Sequence, residues 1–228
     1  MNQTYMKEKK IFPLVMSMAL PMMLSMAFNS LYNIVDSYFV AKLSEDAMTA
    51  LSLVYPAQNL LTAVAVGFGV GVNAMISFYL GAQNQEKADK TATQGIVLGV
   101  LHGVLLMLLF LCGMNWFLGM FTKSDAVRAL GMEYSNVVFL FSVIVTGGIT
   151  LEKIFQAVGR MRATMVSMIA GFVTNIVLDP LLIFGIGPFP RMEIAGAALA
   201  TGIGQVITLL VYIIYYVLDP LPVKLRRT

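Results

Sequence analysis

Long stretches without a charged side chain are the feature of this sequence that most restricts its fold. Asp, Glu, Lys and Arg are all absent from residues 11–35, 47–85, 91–122 and 194–218. Each stretch is longer than the ~20 residues that an α-helix needs to cross ~30 Å of hydrocarbon. Charged residues make up only 12% of the chain, which is about half the fraction found in a typical soluble domain. The sequence therefore predicts an integral membrane protein.

Turn residues and charges divide the chain into six predicted membrane-spanning helices. Their expected positions are 12–39, 50–80, 91–113, 131–152, 163–184 and 194–217. No low-complexity segment separates them, so we interpret residues 1–228 as a single lobe. The predicted fold class is an all-α, polytopic membrane bundle of six transmembrane helices. Two helices also carry small residues at every fourth position, which predicts close packing of their backbones in lipid. These residues are Gly95, Gly99 and Gly103, and then Gly196, Ala200 and Gly204.

Lysine and arginine are distributed unequally between the two sides of this predicted bundle. If the N-terminus is cytoplasmic, eleven of the 15 basic residues lie inside, namely Lys7, Lys9, Lys10, Lys87, Lys90, Lys153, Arg160, Arg162, Lys224, Arg226 and Arg227. The four outside are Lys42, Lys123, Arg128 and Arg191. This asymmetry predicts a multi-pass protein of the cell inner (plasma) membrane with both termini in the cytoplasm. It also accounts for the basic pI of about 9.0 without a nucleic-acid partner.

Asp36 is the first of two carboxylates predicted to lie inside a span. It falls late in the first helix, with Tyr32 one turn earlier and Asn29 and Asn33 nearby. An aspartate at a helix centre costs ~2.5–3.5 kcal/mol on insertion, so its presence requires an explanation. Two interpretations are open: the carboxylate binds an ion or proton, or it hydrogen-bonds across the bundle as a structural contact.

Asp179 is the second such carboxylate and lies in the predicted fifth span. Asn175 precedes it by one helical turn, so the two side chains share a face. Pro180 leaves the carbonyl of Ile176 without its helical donor. With a hydroxyl such as that of Thr201, these groups form an oxygen-only set that suits Na⁺ or a proton, and no cofactor beyond this coupling ion is expected. A purely structural role is again the alternative.

Other side chains give weaker signals. His102 is interpreted as a neutral imidazole packed beside the first glycine series, and Glu152 and Lys153 as a solvated pair at the membrane interface. The methionines of the first helix, including Met26, suit a surface that accepts varied apolar shapes, although lipid-facing packing explains them as well. The sequence holds one cysteine and no recognisable nucleophile-and-base pair, phosphate loop or metal-ligand cluster. Transport or conduction is therefore predicted, not catalysis.

Four ordered segments resemble the multidrug and toxic compound extrusion (MATE) transporters. The most specific is NIVLDPLLIFG at 175–185, which is similar to the DinF-like branch of that family. The others are IVDSYFV at 34–40, which follows Pro21 in the first helix, AVGRMR at 157–162 and GAALAT at 196–201. The resemblance covers essentially the whole chain and implies the N-terminal six-helix lobe of such a transporter.

This resemblance implies a secondary active exporter that exchanges organic, often cationic compounds for Na⁺ or H⁺. The implied cation-binding residues are Asp36, Asn175, Asp179 and Thr201, and the implied cavity-lining residues are Tyr32, Asn33 and Met26. MATE transporters have two six-helix lobes, so a second lobe or a homodimer partner is expected beside the substrate and the lipid bilayer. The alternatives are a non-transporting interaction subunit or a truncated remnant. A lipid-intermediate flippase is less favoured, because the span interiors contain no Lys or Arg.

Overall fold

Helices occupy nearly all of residues 10–225, the part of the chain that the structure, a computed structural model, describes. Seven α-helices follow one another in this part: α1 (Ile11–Ala41), α2 (Glu45–Gly81), α3 (Gln85–Phe121), α4 (Asp125–Val138), α5 (Ser142–Ala157), α6 (Met161–Phe184) and α7 (Glu193–Leu218). A 3₁₀ turn, Phe139–Phe141, joins α4 to α5, and together they form one span, Asp125–Ala157. Six segments are thus long and apolar enough to cross a membrane. The predicted all-α bundle of six membrane-spanning helices is confirmed.

The helices α2, α3 and α4 begin well before the apolar segments that predicted them. They start at Glu45, Gln85 and Asp125, where the predicted spans started at 50, 91 and 131. In each case the residue before the helix, Ser44, Asn84 or Ser124, accepts a hydrogen bond from a backbone N–H of the first turn. Such caps satisfy a helix terminus in water. The charges therefore mark where the membrane begins, whereas the caps mark where the helices begin.

The 3₁₀ turn in the fourth span is a feature that the sequence pattern did not predict. The Ser142 hydroxyl donates a hydrogen bond to the Phe139 carbonyl at 2.6 Å. The ring of Phe139 stacks on Phe110 of α3, with ring centroids 4.5 Å apart. Side-chain hydrogen bonds of this kind satisfy backbone groups where the α-helical pattern is interrupted. The interruption brings Phe139 and Ser142 to the wall of the cavity described below.

Glycine at close helix crossings allows the backbones to approach as the small-residue series predicts. A Cβ atom added to Gly103 of α3 would lie 2.7 Å from the Cα atom of Val143 in α5. One added to Gly204 of α7 would lie 2.8 Å from the carbonyl oxygen of Gly171 in α6. Both positions are too tight for any other residue, so these contacts are van der Waals packing between backbones. The α6–α7 contact is the one that positions the site.

The bundle has two ends, which differ in charge. One end, which we call the basic end, holds the start of α1, the connection between α2 and α3, the connection between α5 and α6, and the end of α7. Among the described residues it carries Lys10, Lys87, Lys90, Lys153, Arg160, Arg162 and Lys224. The opposite end carries Lys42, Lys123, Arg128 and Arg191. The remaining basic residues of the predicted asymmetry, Lys7, Lys9, Arg226 and Arg227, lie outside the described residues.

Candidate functional site

Three of the predicted site residues meet where α6 packs against α7. The side-chain amide of Asn175 donates hydrogen bonds of 3.3 Å to Asp179 Oδ1 and to Thr201 Oγ1. Asn175 and Asp179 share a face because they are four residues apart on α6. Thr201 reaches them from α7 because Gly171 and Gly204 let the two backbones approach. The structure therefore joins the amide, the carboxylate and the hydroxyl in one cluster, in which Asn175 and Asp179 are buried and Thr201 is partly exposed.

Asp36 approaches this cluster from α1. The helix packs against α6, and the side chains of Asp36 and Asp179 are both buried. One turn earlier, the ring of Tyr32 stacks on Phe172 of α6, with centroids 4.9 Å apart and planes 10° from parallel. This stacking holds α1 beside α6 at the level of the carboxylates. Two acidic residues far apart in the sequence are thus buried on two helices that pack against each other.

Three oxygen atoms of this cluster are buried and have no hydrogen-bond partner within residues 10–225. They are Asp36 Oδ1, Asn175 Oδ1 and Asp179 Oδ2. Leaving a buried acceptor unsatisfied costs about 1–3 kcal/mol, and more when the group is charged. Carboxylate, amide and hydroxyl oxygens are the ligands of hard cations, and in transporters such groups also carry protons. The donor set therefore fits a hard monovalent cation or a proton.

A cavity of about 670 Å³ opens beside the cluster. Tyr32, Asn33, Asp36 and Thr201 line it, whereas Asn175 and Asp179 lie behind its wall. Met26 is not among the lining residues; its side chain is 66% exposed and lies about one turn before Asn29, on the same side of α1 but beyond the cavity. The role of Met26 therefore stays a prediction that this cavity does not support. Among the lining residues of the described chain, Asp36 is the only Asp or Glu, and neither Lys nor Arg is present.

Neutral polar residues on α2 and α7 form much of the cavity wall and were missed by the sequence analysis. Their members are Ser52, Tyr55, Gln58, Asn59 and Thr62 on α2 and Gln205 on α7. Gln58 also donates a 3.3 Å hydrogen bond to the hydroxyl of Tyr134, a buried residue of α4. The signal that could have found them is the spacing of Tyr55, Asn59 and Thr62, which repeats every three or four residues within an apolar span.

Glu152 and Lys153 depart from the expected solvated pair, and that interpretation is wrong. Their side chains are only 14% and 13% exposed, and the ion pair between them measures 2.8 Å. The amide of Gln156 donates to the same Glu152 oxygen at 2.6 Å, and Gly69 of α2 leaves room for the Lys153 stem. The low exposure of this pair was not predictable from the sequence, because the space for the Lys153 side chain depends on a glycine in another helix. His102, in contrast, packs as expected, 4.9 Å from the ring of Phe68.

Comparison with known proteins identifies a family and relatives that match most of the chain. A model of the MatE family matches residues 21–181. The multidrug export protein MepA of Staphylococcus aureus is 32% identical over 213 residues, which are 93% of this chain and 46% of that protein. MepA of Staphylococcus haemolyticus is 30% identical over 213 residues, with the same coverage. The chain spans about half the length of the curated relatives it matches.

Solved structures show the same relation in three dimensions. An outward-facing multidrug resistance MATE family transporter of the MOP superfamily is 27% identical, with a TM-score of 0.86, over 93% of this chain and 47% of that one. A MATE in the bent conformation is 30% identical, with a TM-score of 0.84 and the same coverage. A MOP superfamily transporter from Pyrococcus furiosus is 27% identical, with a TM-score of 0.86, over 93% of this chain and 46% of that one. The described helices therefore match one half of a longer transporter fold.

Proposed function

The chain belongs to the MatE family, and from this premise we propose that it is one lobe of a multidrug exporter that exchanges organic, often cationic compounds for Na⁺ or H⁺. The observation that carries the proposal is the buried pair of carboxylates beside a cavity of about 670 Å³. The assignment to the DinF-like branch and to the N-terminal lobe belongs to the same proposal. Relatives named as export proteins support transport as the activity and make an enzymatic role unnecessary.

The proposed mechanism uses the two carboxylates at different depths. Asp36 faces the cavity, so a cationic compound and the coupling ion compete for the same negative charge. Asp179 lies behind the wall, where an ion neutralises its charge and satisfies the unpartnered oxygens of Asn175 and Asp179. Because burying an unneutralised carboxylate in a membrane is costly, ion entry favours release of a cationic compound. The cationic compound and the coupling ion then exchange, because the lobe binds only one of them at a time.

The chemistry of the cavity wall favours this substrate class over an anionic lipid intermediate. Its lining combines aromatic rings, amides and hydroxyls with one carboxylate and has no Lys or Arg among the described residues. Aromatic faces attract organic cations, and a carboxylate adds charge complementarity. A diphosphate-linked lipid would need basic groups to compensate its charge. The direct test is uptake of a fluorescent organic cation into liposomes, driven by an imposed Na⁺ or pH gradient. The absence of uptake under both gradients, with the lobe and its partner present together in the liposomes, would contradict the proposal.

We expect the basic end of the bundle to face the cytoplasm. A single cysteine in place of Glu86, exposed at that end, should be labelled by a membrane-impermeant thiol reagent only after the cytoplasmic face is made accessible. A cysteine in place of Asp125, exposed at the opposite end, should react in intact cells. Both variants carry Cys112→Ser, and the physical reason is the retention of basic loops inside. Labelling of the Glu86 position in intact cells would reverse the orientation.

We also expect the exposed faces of α1 and α2 to meet a second lobe or a second copy. One six-helix lobe provides only one wall of a cavity between lobes. Single cysteines in place of Met26 on α1 or Val70 on α2, both exposed, should therefore cross-link to the partner in a Cys112→Ser background. A cysteine in place of Leu105, exposed on α3, is the matched control, because α3 packs against α2 and α5 and not on the proposed interface.

The mass of the detergent-solubilised particle completes this test. A parallel homodimer should double the mass, and a separate lobe should add a chain of different mass. A strictly monomeric particle that still exports its substrate from liposomes would contradict the partner requirement. An inert monomer would favour an interaction subunit or a remnant that lacks its second lobe.

A further inference from the structure

The segment that follows α7 is folded onto the bundle. Residues 219–225, which we call the strap, contain no helix, yet Leu221 and Val223 are only 4% and 1% exposed. Both side chains enter the apolar core at the basic end, which is formed by residues of five helices: Val72, Ile76, Ala88, Ala92, Leu151, Ile154, Phe155, Ala163 and Tyr212. A short peptide that buries two aliphatic side chains loses apolar contact if it detaches. The strap is therefore part of the packed core at the basic end.

Backbone groups of the strap are held by side chains of α3 and α7. The buried carboxylate of Asp89 accepts a 3.0 Å hydrogen bond from the backbone N–H of Lys224. Gln85 donates 2.7 Å hydrogen bonds both to Asp89 and to the carbonyl of Pro222. The hydroxyl of Tyr216 accepts a 3.1 Å hydrogen bond from the N–H of Leu225. These bonds satisfy the polar backbone that would otherwise keep an extended peptide in water.

An ion pair holds the beginning of the strap. Arg160, at the start of α6, makes two contacts with the carboxylate of Asp219, one of them 2.9 Å from Nη2 to Oδ1. The side chain of Asp219 is half exposed, so this pair contributes less than the buried bonds of Asp89. Its location nevertheless ties the strap to α6, while Asp89 ties it to α3. The strap thus connects α6, which carries part of the cation cluster, with α3, which does not.

We propose that residues 219–225 are a strap that Asp89 holds in place. During transport the strap moves as part of this lobe and does not act as the hinge between lobes. The proposal rests on the proposed two-lobe exporter for its mechanical meaning, although docking of the strap is independent of transport. Asp89 is a positioning residue in this scheme. Its carboxylate lies at the basic end, away from the cation cluster, and its interactions include hydrogen bonds from the strap and from Gln85.

Amide hydrogen exchange on the whole chain in lipid nanodiscs tests the docking. The amides of Lys224 and Leu225 should exchange slowly in the wild-type chain. Asp89→Ala removes the acceptor of a buried, charged hydrogen bond, so exchange of Lys224 should become about tenfold faster or more. Asp89→Asn retains an acceptor oxygen and should give an intermediate rate. Glu86→Ala, which removes an exposed carboxylate from the same helical turn, is the matched control and should leave both amides protected.

Two exchange results would overturn the strap. The first is rapid exchange of Lys224 and Leu225 in the wild-type chain, and the second is unchanged exchange in both Asp89 variants. If Asp89→Ala does not fold, the comparison of Asp89→Asn with wild type decides, since the asparagine keeps the size of the side chain. Amides within α7 report whether the bundle itself remains folded.

A cross-link separates this proposal from the exporter on which it rests. Cysteines in place of Gln85 and Pro222, in a Cys112→Ser background, are joined by a short bifunctional thiol reagent in the complete transporter. Efflux of a fluorescent organic cation should persist within about twofold of the uncross-linked protein, because a docked strap need not move. Loss of efflux on cross-linking alone would overturn the strap as a fixed part of the lobe. Absence of efflux before cross-linking, with normal exchange protection, would instead count against the exporter.

Discussion

Cation-driven efflux is expected to disappear when Asp179 is replaced by asparagine, while the chain stays folded. The amide has nearly the same size and shape as the carboxylate, so the packing between α6 and α7 is retained. It carries no charge for a cation or a proton to neutralise, and the site loses the group that makes ion entry favourable. Initial efflux of a fluorescent organic cation from liposomes should fall to the level of protein-free liposomes under both Na⁺ and pH gradients.

Asp36→Asn should have the same effect on coupling and a further effect on the substrate. Asp36 lines the cavity, whereas Asp179 does not, so its loss should also weaken binding of a cationic compound in the absence of any gradient. The matched control is Asp46→Asn, which removes an exposed carboxylate at the start of α2. Unchanged efflux with unchanged ion dependence in both Asp36→Asn and Asp179→Asn would return the two carboxylates to a structural role. Thermal unfolding monitored by circular dichroism confirms that each variant is folded.

Gly171→Val is expected to be among the most destabilising single substitutions in the bundle. A Cβ atom at this position would lie 2.6 Å from the carbonyl oxygen of Gly204 and would collide with the hydroxyl of Thr208. The backbone oxygen cannot rotate away, so α6 and α7 must separate. Overpacking of this kind typically costs about 1–3 kcal/mol, and a clash with the backbone places this site at the upper end. Folded yield and thermal stability in detergent should both fall.

Two further variants identify the cause of that loss. Gly147→Val makes the same change within α5, where an added Cβ atom meets nothing within 4 Å, and should be tolerated much better. Thr208→Ala combined with Gly171→Val removes one of the two clashes and should restore part of the stability. Equal stability of the Gly171 and Gly147 variants would mean that the α6–α7 contact does not hold the bundle together. Since Asn175 and Thr201 meet across this contact, their hydrogen bond depends on it.

The sequence predicted the elements of the site better than their surroundings. Asn175, Asp179 and Thr201 were predicted as one polar set, and the structure joins them by hydrogen bonds. Their cation-binding role stays a prediction. Local spacing on a helix makes the first two neighbours, whereas Thr201 meets them only through the glycine contact. Met26 shows the limit of this reasoning, because neither spacing nor composition indicates how far along α1 the cavity extends.

The environment and the helical fold were determined by the sequence alone. A backbone in hydrocarbon must satisfy its own hydrogen bonds, and a helix does so within one segment, so long uncharged runs leave few alternatives. The two buried carboxylates were also recognisable, because an acid inside such a run is costly. Only the tertiary structure decided that the helices carrying Asp36 and Asp179 pack together, that Glu152 is largely covered and that the strap packs onto the basic end. These contacts depend on the rotation and crossing of whole helices, which are set by the shapes of both packed faces and not by either sequence segment by itself.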